Sequence, residues 1–313
     1  MVHSLFYKIK PFIPRSVQIN LRRVRAKQKV KGYSDVWPIL ETANLRPEEF
    51  PGWPNGKQFA FALMHDVETA FGQSKVRHLM ALEDERGFRS SFNFVPERYE
   101  QDYPLHQTLK SSGFEVGVHG LNHDGQLFSS QGLFKERAVK INRYLSEWQV
   151  NGFCSPSSFH NLDWMHNLDI EYESSTFDSD PFEPQSDGVE TIFPFWVEGP
   201  DGSGFIELPY TLPQDHLMFV ILQERNIDIW KKKLDWIAKH GGMALMISHP
   251  DYMNFGTRPM GLEEYPADLY ASFLDYAKSQ YGDVYWHALP HEVAQYYKST
   301  IHTAVGKRNQ PVA

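Results

Sequence analysis

The sequence predicts an α/β fold, a distorted (β/α) barrel of seven to eight parallel strands with an outer ring of helices. Three observations lead there. Eight short apolar runs of strand composition recur along the chain, helical patterns separate most of them, and ionisable residues collect just after the runs, where a parallel barrel places its functional groups. At 313 residues and 41% apolar content the chain can bury one barrel-sized core. A doubly wound sheet is the alternative arrangement of the same units.

Each element can be justified in order. A Pro-rich stretch, RPEEFPGWPNG (46–56), leads into the runs FAFALM (59–64), SSFNFV (90–95), FEVGVH (114–119) and NGFC (151–154). The later runs are YESSTF (172–177), FIELPY (205–210), MALMIS (243–248) and VYWHAL (284–289). Such runs suit parallel strands buried on both faces. Helical patterns fall at 74–86, 101–112, 130–148, 160–168, 226–240 and 262–280, with 290–299 closing the chain. The stretch 177–204 is irregular. Three parts are expected: a basic amphipathic arm over 1–50, the barrel over 51–300, and a tail over 301–313.

Charge separates the arm from the body. Residues 1–34 hold nine of the 31 Lys/Arg and no Asp or Glu, which leaves 22 basic against 39 acidic residues and a formal charge of −17 on the remainder. Ser16 is the expected cap of an arm helix with Val17, Leu21 and Val24 on one face and Arg22, Arg23, Arg25 and Lys27 around the rest. With Phe6, Phe12 and Ile13, residues 1–34 form a candidate for docking on an anionic membrane surface, and packing on the acidic body is the competing reading. Nucleic acid is not an expected partner, because the arm has no base-reading module and the body repels phosphate. No stretch approaches the roughly 20 apolar residues of a membrane span, and no apolar signal core with a cleavage site opens the chain, so a cytoplasmic protein, peripheral at the inner face of the membrane if the arm docks, is expected. A single cysteine, Cys154, rules out a disulfide framework and a cysteine-based zinc finger. Any metal must then use His, Asp or Glu.

The chemistry gathers at five strand ends. Asp66 and Glu68 follow the first strand, His119 and His123 the third, Cys154 ends the fourth, Asp178 follows the fifth and His249 the seventh. In EVGVHGLNHDG, His119 leaves a strand and His123 comes four residues later, so one helical turn would set both imidazoles to grip one cation. The competing reading is a polar cluster that caps the barrel mouth.

These residues carry a resemblance. From about Lys57 to Gln295 the chain resembles the polysaccharide deacetylases of carbohydrate esterase family 4, the NodB-homology fold, through HDVE, HGLNH, FCSP and ISHPD. The resemblance implies a metal-dependent hydrolase that removes N-acetyl or O-acetyl groups from a carbohydrate, with surface polysaccharide metabolism as the expected setting. It also implies roles: Asp66 as general base, His119 and His123 as metal ligands, His249 as general acid, and Asp178 as an orienting acidic residue. Two departures bear on this. Val67 follows Asp66 where the family has a second aspartate, so Glu68 is the expected third ligand in an acid-x-acid version. Cys154 stands where the family has an arginine that pairs with the base, so either Asp66 is expected to be less firmly positioned and more basic than usual, or Arg89 or another cation to substitute. Two histidines and a glutamate suit one divalent metal, zinc first, with nickel, cobalt and iron also acceptable.

Independent chemistry supports those residue types. Metal coordination lowers the pKa of water from about 16 toward roughly 7. A leaving amine needs a proton, and a placed acid contributes roughly 100- to 10,000-fold. Pro156, of FCSP, and Trp196 are weaker candidates for contacting substrate, as are Phe177, Phe182, Phe195 and Tyr210 around the long loop. His160 and His166 lack metal spacing, and Trp164 and Met165 read as core. Two rival functions stay open: a catalytically inactive carbohydrate-binding barrel, for which Val67 and Cys154 argue, and a hydrolase of a non-sugar amide.

Overall fold

A computed structural model of the chain describes residues 14–48 and 50–308, the last eight by backbone alone. Phe6, Phe12 and Ile13 lie outside the described residues. In chain order the first elements are α1 (Arg15–Val30), β1 (Phe59–Val67), α2 (Ala70–Asp84), β2 (Ser91–Phe94), α3 (Tyr103–Ser111) and β3 (Glu115–His119). Then come α4 (Gln131–Trp148), β4 (Gly152–Cys154), α5 (Leu162–Met165), β5 (Tyr172–Glu173), β6 (Phe195–Glu198) and β7 (Gly204–Glu207). A π-helical turn (His216–Ile221) precedes α6 (Asp228–His240) and β8 (Met243–Ser248). The chain closes with β9 (Met253–Asn254), β10 (Tyr265–Pro266), α7 (Ala267–Tyr281), β11 (Tyr285–His287) and α8 (Pro290–Arg308).

β1 is buried at every position and organises the sheet. It pairs in parallel with β8 along one edge, and along the other first with β11 and then with β2. From β2 the parallel ladder continues through β3, β4 and β5 to β7. The chain beyond β7 then reaches β8, where Leu212 bridges to Met246 and its N–H donates to the Leu245 carbonyl at 3.1 Å. The two edges therefore approach each other, as a distorted (β/α) barrel requires and a doubly wound sheet does not. Among the described residues only β6 runs antiparallel, on β7, inside the stretch expected to be irregular.

Several boundaries shift for physical reasons. β1 extends to Val67 because His65, Asp66 and Val67 pair with β2, so the polar triplet opens inside the strand. Ser16 does not cap α1: Pro14 precedes the helix, and its carbonyl accepts from the N–H groups of Val17 and Gln18. α7 starts at Ala267 and not at 262, since Tyr265 and Pro266 pair with β9. The expected tail at 301 is, as far as Arg308, a continuation of α8. The arm helix lies on the barrel, with Ile19 and Ala26 buried against it and Arg15 paired with Glu263 at 2.7 Å.

Candidate metal centre and its acid–base partners

The site begins with strand register. Asp66 on β1 sits opposite Asn93 on β2, which sits opposite Gly117 on β3, and these side-chain positions share one face of the sheet. A Cβ on Gly117 would overlap Asn93 Oδ1, so only glycine leaves room for the amide to turn toward Asp66. Asn93 Nδ2 donates to Asp66 Oδ1 at 3.0 Å. Two residues further along β3, His119 pairs with Cys154 on β4, and the Cys154 thiol lies 3.5 Å from Asp66 Oδ2.

Glu68, His119 and His123 bring one donor atom each to within 4.8 Å of one another. The four-residue spacing does this without the expected helical turn. Gly120 and His123 both adopt left-handed backbone, at φ 61° and 56°, and the loop folds His123 back until the two imidazole centroids are 5.3 Å apart. A Cβ at Gly120 would come within 2.6 Å of Pro156, which packs against this turn.

The donors fit a divalent cation. His119 Nδ1–H donates to the Cys154 carbonyl at 3.1 Å, which fixes the tautomer and leaves Nε2 as a lone pair. That Nε2 is buried with no hydrogen-bond partner among the described residues, as expected of an atom meant for a metal. Burial pushes the His119 pKa down to about 4, so the ring is neutral and ready to ligate. Burial alone would raise the Glu68 carboxyl, but the His123 Nε2–H, 3.1 Å from Oε1, outweighs it and holds the pKa well below the usual range. Tyr252 donates to Glu68 Oε2 at 3.0 Å, and Asp251 accepts from the Glu68 backbone N–H at 2.9 Å.

Beside this triad stands His249. Its Nδ1–H donates to Asp215 Oδ1 at 2.7 Å, and Tyr265 donates to Asp215 Oδ2 at 2.9 Å. Burial by itself would lower the His249 pKa, yet the Asp215 charge and hydrogen bond prevail, and it is raised to about 10. The ring is therefore an imidazolium at neutral pH. Tyr252 links it to the triad, with ring centroids 5.2 Å apart and its hydroxyl on Glu68.

The structure brings Asp66, Glu68, His119, His123, Cys154 and His249 to one end of the barrel and leaves other candidates elsewhere. Asp178 is buried in an ion pair with Lys233 of α6, which is wholly buried as well, and it is in no group able to hold a metal among the described residues. Trp196 lies on edge strand β6, its ring against Gly204 and under Lys298. Phe177 and Tyr210 pack against each other at 5.4 Å, and Phe182 packs edge-on against Trp37. His160 donates to the Ser158 carbonyl, and His166 packs on Phe205. Arg89 does not replace the missing arginine: it pairs with Asp84 and donates to the Ser112 carbonyl, and the neutral Asn93 amide takes that place on Asp66. Cys154 is a buried thiol that donates to the Ser174 carbonyl at 3.0 Å, and burial pushes its pKa well up. Sequence reasoning missed Asn93, Asp215 and Tyr252. The signals available were a polar residue alternating inside SSFNFV and a carboxylate following the sixth run.

No family model matches the sequence, and no curated protein matches it. Solved structures do. A protein of Mycobacterium smegmatis assigned as a polysaccharide deacetylase superposes with a TM-score of 0.63 at 17% identity, over 82% of this chain and 95% of its own. The Puue allantoinase gives 0.62 at 17% identity over 82% and 95%, and a protein of Pseudomonas aeruginosa assigned as a polysaccharide deacetylase gives 0.60 at 17% identity over 88% and 98%. At these identities the likeness is one of architecture, and the architecture is that of the polysaccharide deacetylase barrel.

Proposed function

We propose that the chain is a metal-dependent hydrolase that removes the acetyl group from an N-acetylated carbohydrate, with Asp66 as base, His249 as acid and Glu68, His119 and His123 as the metal ligands. One observation carries the reading: an imidazolium held by Asp215 and a carboxylate held by Asn93 meet at a triad whose buried His119 Nε2 has no partner among the described residues. A cation bound by the triad would polarise the acyl carbonyl and make water a nucleophile near neutral pH. The protein groups do the rest. Asp66 accepts the proton of the attacking water, with Asn93 on one oxygen and Cys154 near the other. His249 gives its Nε2 proton to the departing amine, because Nδ1 is already committed to Asp215.

An acetylated sugar of surface polysaccharide metabolism is the substrate class we favour, and zinc the first metal to try. The test is acetate release from N-acetylated chitooligosaccharides by protein loaded with zinc. Release that disappears in His249→Ala and Asp66→Asn supports the reading, whereas sugar binding without release would favour an inactive carbohydrate-binding barrel. A second reading, hydrolysis of a non-sugar amide, draws on the likeness to an allantoinase at a TM-score of 0.62. Ring opening of allantoin to its open-chain acid, or amine release from simple amides, without acetate release from sugars, would select it.

A further inference from the structure

α1 has two working sides. One holds the helix on the barrel: Arg15 pairs with Glu263, Arg23 donates to the carbonyls of Val220 and Leu262, Lys27 donates to Gln223, and Lys29 to the Pro181 carbonyl. The other side carries Val17, Leu21 and Val24, spaced i, i+4, i+7 and 45%, 57% and 57% exposed. Met260 and Leu262 are exposed in the loop that Arg15 and Arg23 grip. Half of the ten exposed large apolar side chains among the described residues thus gather around one helix. Arg25 and Lys31 are exposed along its edges.

The helix that carries the patch is linked through its docked side to the triad. Val220, which accepts from Arg23, belongs to the π-helical turn; His216 of that turn packs on Tyr252 at 4.7 Å, and Tyr252 donates to Glu68. We infer that this face docks on an anionic lipid bilayer and sets the barrel mouth at its surface; resting on the deacetylase reading, the substrate class is an acetylated sugar anchored to a lipid. Charge chooses the occupant. An apolar stripe edged by cations, in an arm with nine basic and no acidic residues, suits the boundary between acyl chains and anionic headgroups. A second copy would set Arg25 and Lys31 against their own counterparts.

The experiment is co-sedimentation of the full chain with mixed phosphatidylglycerol–phosphatidylcholine vesicles and with pure phosphatidylcholine vesicles. Wild type should bind the anionic vesicles at least about tenfold more tightly than the neutral ones, and less tightly as salt rises. Leu21→Glu/Val24→Glu and Arg25→Glu/Lys31→Glu should each weaken binding about tenfold or more, because both the apolar and the cationic parts contribute. Both variants change exposed positions and should keep wild-type turnover of soluble chitooligosaccharides. Wild-type sedimentation by Leu21→Glu/Val24→Glu, or no sedimentation of wild type on anionic vesicles, overturns the proposal. A wild-type dimer lost in Leu21→Glu/Val24→Glu without vesicle binding overturns it in favour of a second copy. Vesicle binding is read independently of turnover, so His119→Ala that still sediments, alongside a wild type that releases no acetate, would sink the deacetylase reading and leave the docking face standing.

Discussion

His249 donates its Nδ1–H to one oxygen of Asp215 at 2.7 Å, and its own backbone N–H reaches the other oxygen at 2.9 Å. The carboxylate is thereby locked to the imidazole from two directions. In Asp215→Asn the charge is gone, burial meets less opposition, and His249 should titrate well below its wild-type value. In metal-free wild type it should titrate at about 10. Ring-proton NMR of the chelated proteins separates the two. The sign for stability follows: with the folded pKa above the unfolded one, the pair's contribution is complete below about 6.5 and is lost as pH rises through about 10. Asp215→Asn should lack that alkaline loss, and its turnover at pH 8 should fall roughly 100- to 10,000-fold. A wild-type His249 that titrates near 6.5 would mean that Asp215 does not hold it as an imidazolium.

Metal binding should depend on His119 absolutely and on Tyr252 in part. His119→Ala removes the unpartnered Nε2, and elemental analysis should find the metal lost. Tyr252→Phe deletes only the hydroxyl on Glu68 Oε2, and competition against a chelator should show roughly 10- to 100-fold weaker affinity. Protons should not compete for His119 until the pH falls toward about 4. Metal retained in full by His119→Ala would refute the assigned centre.

How much of this was readable from residues alone differs by element. The parallel strands were, since strands buried on both faces are near-continuous apolar runs, and 59–64, 90–95, 114–119 and 243–248 all fall on observed strands. The pairing of His119 with His123 was readable, but its loop geometry was not, because the same spacing fits a helical turn and a left-handed turn through Gly120. Asp215 lies 34 residues from His249, and only barrel closure brings them together. A single sequence carries no register. In the arm, the amphipathic pattern was plain, whereas the docked side is the one with the longer basic side chains, since Glu263 and backbone carbonyls of the body receive them.

Asn93 and Cys154 are neutral groups beside the two Asp66 oxygens, and each leaves a measurable trace. A hydrogen bond to a charged group contributes about 1.5–3 kcal/mol. Asn93→Ala should therefore lower kcat roughly 10- to 100-fold, with metal content unchanged. Cys154 is buried with a raised thiol pKa, so it should resist disulfide exchange reagents in the native protein and react once the chain is unfolded. Fast modification of the native thiol would mean that the floor of the site is open to solvent.

Lys233 and Asp178 form a fully buried pair between α6 and the segment after β5. Burial raises the Asp178 pKa in spite of the lysine, a sign that the lysine offsets desolvation only in part. Lys233→Met should leave that carboxyl with no compensating charge and destabilise the protein by about 3–5 kcal/mol. Asp178→Asn/Lys233→Met removes both charges together and should recover much of the loss in thermal unfolding. If Asp178 acts only through folding, the double variant binds metal and releases acetate at close to the wild-type rate. Wild-type stability with turnover lost more than about tenfold would instead return to Asp178 the orienting role that the family resemblance implies, with Lys233 as the residue that holds it in place.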